Sequence, residues 1–300
     1  MDSREIPVTF ACDGERLYGV VHQPAQQSKL GVLIVHGRPA TRVGKHRLFV
    51  LLARAWASAG YPVMRFDYRG TGDSGGEVIT IEETSQDLGS AIDAFIAKVP
   101  GLQRVALWGL CGGAADALLY APRDPRVAGT VMVNPWTYDA RVRSFVKLRH
   151  AGFVRLRRLL GLNQWIRRIR GYTQSSSPDV DTIEVPQFTD ADPAGAPDLS
   201  QTEGSAALAK AYQSYRAPDM SKRMAASLEK FKGRVLVILG GGDVGSRTFK
   251  VTTSMSPRWR RLLSEQRVRV MDLPEANHSL MRPQWREQAA AWTLAWLKEL

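Results

Sequence analysis

A chain of 300 residues with 44% hydrophobic and 8% aromatic side chains can bury a large core, and its length suits an α/β enzyme core carrying an insertion. Its two cysteines, Cys12 and Cys111, stand far apart without C-x-x-C spacing, which argues against a zinc ribbon or disulfide framework and for a reducing compartment. The net charge of +12 is unevenly spread: Arg141 to Arg170 carries ten Arg or Lys and no acidic residue, and Gly171 to Gly204 carries seven acidic residues and no basic one.

In chain order, "IPVTFAC" and "RLYGVVHQP" predict an antiparallel hairpin turning at "DGE". "GVLIVHG" is a continuous β-branched run, the pattern of a strand buried on both faces. "HRLFVLLARAWASAG" predicts a helix closed by Gly60, and "YPVMRFDY" the next strand. In "ITIEETSQDLGSAIDAFIAKV", Thr80 and Glu83 have capping-box spacing, and Leu88, Ile92, Phe95 and Ile96 share one helical face. "RVALWGL" and "VAGTVMVNP" predict two more buried strands, with a helix after Cys111 between them. "RVLVILGGGD" and "RVRVMDL" complete the sheet, and "PQWREQAAAWTLAWLKEL" predicts a closing helix with Pro283 in its first turn.

The strand–helix alternation predicts an α/β fold, with a mostly parallel central sheet covered by helices on both faces. It stops between Trp136 and Phe231. The expected division is therefore a core of residues 1–135 and 232–300, interrupted by a basic helical cap or lid at 136–231. That insertion contains an acidic, Ser/Pro-rich flexible loop at about 171–204. No apolar run is a credible membrane span, and "MDSREIPVTF" lacks the apolar stretch of a signal peptide. The expected location is cytoplasmic, with peripheral contact at the inner membrane as the alternative.

Chemistry concentrates at the strand ends. "GLCGG" has the G-x-C-x-G spacing of a nucleophile elbow, where Gly109 and Gly113 let a strand reverse directly into a helix with Cys111 at the apex. A helix starting at Gly112 would aim its positive end at the sulfur and favour the thiolate. The bland alternative is a small buried cysteine in a tight turn. Asp243 ends the strand "RVLVILGGG", and His278 lies in the loop after the last strand, giving the order nucleophile, acid, histidine. Of the five histidines, His22, His36, His46, His150 and His278, only the last follows the final strand.

The backbone N–H groups of Arg38, in "VHGRPA", and Gly112 are the expected oxyanion hole. His36 is expected to hold that loop. The Arg38 side chain is expected either to bind an anionic substrate group or to be solvated. "DYRGTGDSGG" lacks a P-loop pattern, so Asp67 and Asp73 are expected to pin it rather than bind metal. No metal or cofactor is implied.

"GVLIVHG", "FDYRGTGDSGG", "LWGLCGG", "LGGGD" and "EANHSL", in this order, resemble the α/β-hydrolase superfamily across all but the insertion. The longer stretches "RVGKHRLFVLLARAWASAGYPVMRFDYRGTGDSGGE" and "MDLPEANHSL" resemble, more narrowly, the exosortase A system-associated hydrolase 1 family of bacteria. That resemblance implies a setting in exopolysaccharide or envelope metabolism.

The sulfur is compatible with a thioesterase, an ester or lactone hydrolase, or an acyltransferase, because an acyl-cysteine stays activated towards several acceptors. The expected substrate is a small-molecule acyl ester or thioester, with no nucleic acid partner. "SFVKLRHAGFVRLRRLLGLNQWIRRIRGY" reads as an acyl-covering lid with weak contact to an anionic membrane surface, where Trp165 and Ile166 would dip in. A solvated helical face is the plain alternative. Against an enzyme stands an inactive hydrolase-fold scaffold or binding protein of the exopolysaccharide machinery, which has no reason to keep Cys111, Asp243 and His278 together. Oligomeric state is not legible in the sequence.

Overall fold

The computed structural model describes residues 3–137, 205–217 and 219–300. Most of the expected cap, including the basic run with Trp165 and Ile166 and the acidic loop, lies outside the described residues.

The β-branched runs form strands β1 (Arg4–Cys12), β2 (Glu15–Gln23), β3 (Leu30–Val35) and β4 (Val63–Phe66) in the first part of the chain. They are followed by β5 (Arg104–Leu110), β6 (Val127–Val133), β7 (Arg234–Gly240) and β8 (Val268–Leu273). Among the described residues these eight strands form one sheet in the order β1-β2-β4-β3-β5-β6-β7-β8. β1 and β2 form the expected hairpin, β2 also runs antiparallel to β4, and every later pairing is parallel.

Alternation along the parallel strands divides the core between two layers. Val32, Ile34 and Trp108 pack with Leu52 and Trp56 of helix α1 (Leu48–Ser58). Leu33, Val35 and Leu107 pack with Leu88, Ile92 and Phe95 of α2 (Thr84–Lys98) and with Ala115 and Leu118 of α3 (Gly112–Tyr120). Each such Leu, Ile or Phe, fully buried, contributes about 1.5–3 kcal/mol of transfer free energy. α4 (Ser205–Ser214) and α5 (Met220–Lys230) precede β7 in sequence, and α5 buries Met220, Met224 and Leu228 against the α2–α3 layer. After β7 come α6 (Val244–Met255) and α7 (Pro257–Leu263). The closing helix α8 (Pro283–Leu297) packs Ala289 and Trp296 into the α1 layer.

Two local outcomes differ from the sequence reading. The Thr80–Glu83 interaction forms, but α2 begins only at Thr84. Both the N–H and the hydroxyl of Thr80 donate to Glu83 Oε2, at 2.7 and 2.8 Å. The hydroxyl is thus engaged by a carboxylate instead of capping a helical N–H, and the segment makes a turn. The helices α6 and α7 are not foreseen in the sequence. Their caps are visible in hindsight: Asp243 accepts from Ser246 N at 2.7 Å, and Ser256 precedes Pro257.

Candidate active site

β5 passes into α3 through a single residue, Cys111, at φ 59° and ψ −119°. A left-handed backbone at a non-glycine residue is strained, and neighbours must hold it. Cys111 N donates to Val133 O at 2.9 Å, and Cys111 O accepts from Trp136 N at 3.2 Å. The flanking glycines are demanded by approach distance. A Cβ on Gly113 would stand 2.1 Å from Val35 O, and one on Gly109 would stand 2.3 Å from Gly113 O. The sulfur is left half-buried at the positive end of α3, whereas Cys12 is buried and donates its S–H to Asp87 Oδ1.

The turn after β7 delivers Asp243, 1% exposed, and the loop after β8 delivers His278. His278 Nδ1 lies 3.0 Å from Asp243 Oδ1, and the Cys111 sulfur is near enough to the same imidazole to act on its charge. Burial alone would lower the pKa of His278, but the neighbouring Cys111 sulfur and Asp243 carboxylate raise it well above the usual histidine value. Burial pushes the Asp243 carboxyl up, and the hydrogen bond from His278 outweighs it, so the net shift is downward. Residues from three strand ends are thus brought to one edge of the sheet, with His278 and Asp243 in hydrogen-bond contact.

The sequence reading passed over Asn134, at the end of β6. It adopts φ 45°, is 1% exposed, and uses its amide on three distant segments. Its Nδ2 donates to His278 O at 2.9 Å, while its Oδ1 accepts from Gly240 N and from Ser246 Oγ, both at 2.7 Å. Ser246 N in turn donates to Asp243 Oδ2 at 2.7 Å. Asn134, Ser246, Asp243 and His278 thus close a ring of hydrogen bonds around the acid and the histidine. A buried "VNPW" after a strand was the available signal.

At the expected oxyanion loop the backbone is close to the elbow: a Cβ on Gly37 would lie 3.1 Å from both Gly112 N and Gly113 N. The Arg38 side chain is buried, not solvated, because it finds a carboxylate inside the fold. Arg38 Nη2 lies 3.4 Å from Asp116 Oδ2 and donates to Tyr215 Oη. Burial disfavours its charge, but Tyr215 and Asp116 overcompensate and raise its pKa. Burial pushes the Asp116 carboxyl up to about 6, against the pull of Arg38.

The remaining histidines stay apart from this centre or lie outside the described residues, as His150 does. His36 is fully buried edge-on to Tyr68, and burial lowers its pKa to about 4, which suits a neutral structural role. His22 accepts from Arg65 Nε at 2.9 Å, and His46 sits in the turn before α1. Asp67 and Asp73 both pair with Arg42, and Asp67 also accepts from Arg42 N at 2.6 Å, so they pin their loop. Among the described residues, no three His, Cys, Asp or Glu side chains are grouped to hold a metal ion. No helix there is long and apolar enough to cross a membrane.

Residues 32–292 match the profile of the alpha/beta hydrolase family. A lysophosphatidylserine lipase of Danio rerio is 38% identical over 84 residues, 28% of this chain and 21% of its own length. This chain thus matches about a fifth of that curated relative. Among solved structures, a Pyrococcus furiosus esterase superposes with a TM-score of 0.64 at 15% identity, over 99% of this chain and 91% of its own. The ferulic acid complex of Est1E from Butyrivibrio proteoclasticus gives 0.60 at 15% identity, covering 97% and 99%. A dienelactone hydrolase from Anabaena variabilis gives 0.58 at 15% identity, covering 100% and 99%. At these identities the structural likenesses speak for the fold.

Proposed function

The chain belongs to the alpha/beta hydrolase family, and on that premise we propose that it cleaves carboxylic ester or thioester bonds through a covalent acyl-cysteine at Cys111. The observation that carries this reading is the imidazole of His278, which is hydrogen-bonded to a buried carboxylate and near enough to the sulfur at a strained helix start for that sulfur to act on its charge. In the first half-reaction His278 takes the Cys111 proton as the sulfur attacks the carbonyl carbon. Asp243 orients the imidazole and stabilises its cation. The N–H groups of Arg38 and Gly112 receive the oxyanion. The tetrahedral adduct collapses to a thioester, and His278 returns the proton to the departing alcohol or thiol. In the second half-reaction His278 deprotonates water, which attacks the thioester and releases the acid and the Cys111 thiol. An amine or alcohol in place of water would make the same enzyme an acyltransferase.

An ester substrate is supported by the similarity to a lipase and an esterase, and a thioester by the sulfur itself. The sequence resemblance to the exosortase-associated hydrolases supports a bacterial envelope or exopolysaccharide acyl group. The segment between β6 and β7 is the proposed cap over that group, with its basic run facing an anionic membrane surface.

The test is intact-protein mass after brief exposure to a panel of acyl thioesters and activated esters. The wild type gains one acyl group and loses it to water, while Cys111→Ala gains none. An adduct that persists until an amine is supplied would favour transfer. Acylation of Cys111→Ala would refute Cys111 as the nucleophile, and no adduct and no turnover across the panel would refute the covalent reading and leave the scaffold role.

A further inference from the structure

We infer that Tyr215, where the chain comes back towards the sheet after α4, is a positioning residue that sets the oxyanion hole. The inference rests on the covalent reading of Cys111 above. Tyr215 is 5% exposed and touches both halves of the proposed hole. Its ring covers Gly112, since a Cβ built there would stand 2.9 Å from Tyr215 Cε1. Its hydroxyl donates to Asp116 Oδ2 at 2.6 Å and accepts from Arg38 Nη2. The Arg38 guanidinium is held between two aromatic rings, 5.1 Å from the centroid of Tyr68 and 4.9 Å from that of Tyr215. A third tie runs through Trp136, whose Nε1 donates to Tyr215 O at 3.0 Å and whose backbone N donates to Cys111 O.

A buried ion pair such as Arg38–Asp116 is weak evidence for stability, because desolvation offsets its Coulomb attraction. What it does define is direction. Arg38 is fixed at its head by Tyr215 and Asp116, and its own N–H is one of the two proposed oxyanion donors. Oxyanion stabilisation depends on donors already aimed before reaction, so a residue that fixes Arg38 at one end and presses on Gly112 at the other governs both. Tyr215 itself need not touch substrate.

Two probes of Cys111 separate this role from general loosening. Attack on p-nitrophenyl acetate builds an oxyanion, whereas alkylation by iodoacetamide displaces iodide at a saturated carbon and needs only the thiolate. The variants are Tyr215→Phe, which removes one oxygen, and Asp116→Asn, which removes the charge but keeps the shape. Both are expected to slow acylation at least tenfold, with alkylation staying within twofold of wild type. Losing one oxyanion donor outright costs about 10²–10³ in rate, which sets the upper end. Acylation within twofold of wild type in both variants, or equal loss in both reactions, would overturn the assignment. A wild type that alkylates but is never acylated would fail the covalent reading first, and the role of Tyr215 with it.

Discussion

Replacing Asn134 tests whether the hydrogen-bond ring holds the catalytic geometry or only the fold. Asn134→Ala removes three hydrogen bonds and leaves Gly240 N and His278 O buried without a side-chain partner, while the Ser246 hydroxyl can rotate to another acceptor. Each orphaned backbone group costs about 1–3 kcal/mol. An alanine at φ 45° adds roughly 1 kcal/mol of backbone strain. The sum, about 3–7 kcal/mol, is a large part of the 5–15 kcal/mol that typically separates folded from unfolded domains. Asn134→Asp is the sharper probe. Its carboxylate still accepts from Gly240 N and Ser246 Oγ but meets His278 O with no donor, so the histidine loop loses its tie, and burying the unpaired charge raises the cost above the roughly 1–3 kcal/mol of the lost hydrogen bond. A displacement of about 1 Å in a reacting group can cost a hundredfold in rate. Iodoacetamide alkylation of Cys111 in Asn134→Asp is therefore expected to fall ten- to hundredfold between pH 6 and 8, with urea unfolding measured in parallel. Wild-type alkylation in a variant that has lost the expected stability would refute the reasoning: Asn134 would then support the turn and not the imidazole.

Two further outcomes follow from the same geometry. Gly113→Ala, whose Cβ would meet Val35 O at 2.1 Å, is expected to cost more than about 3 kcal/mol in urea unfolding. Gly101→Ala, at φ +81° with nothing within 4 Å, is expected to cost only about 1–2 kcal/mol of strain. The raised pKa of His278 has a definite sign in the pH dependence of stability. The contribution it gains from the ionised Asp243 is complete below the unfolded value of about 6.5 and is lost as pH rises through the raised folded value. The stability advantage of wild type over Asp243→Asn should therefore shrink as pH rises from 6 to 10, and an advantage that grew with pH would contradict the assigned pairing. Asp243, with its depressed pKa, stays ionised across that range.

What was legible in the sequence was what local pattern encodes. The strands are β-branched runs bounded by turns, and the elbow is written in two glycines whose side chains would strike backbone. Cys111, Asp243 and His278 could be singled out because a parallel sheet carries strand ends to one edge, so chain order alone brackets a candidate site. Asn134 was not found, because its meaning lies in three partners that are neighbours only once β6, β7 and the histidine loop are side by side. The burial of Arg38 was missed for the same reason: Asp116 and Tyr215 are remote from it in sequence, and an arginine beside a glycine turn looks solvated. α6 was missed because "VGSRTFKVTTSM", rich in Val, Thr and Ser, has weak intrinsic helix preference. Its cap at Asp243 and the packing of Phe249 against Trp259 supply what propensity does not.

The register between β6 and β7, Gly129 with Arg234 through Val133 with Ile238, is set by two strands lying directly against each other although a long stretch of chain separates them. Closing a connection costs only about 0.6 kcal/mol for each doubling of its length, so three doublings beyond an ordinary crossover cost roughly 2 kcal/mol. The sheet is accordingly almost indifferent to what is spliced in at that point. The constraint falls on the landing, because the chain that returns to β7 brings Tyr215 down beside Gly112 and Arg38.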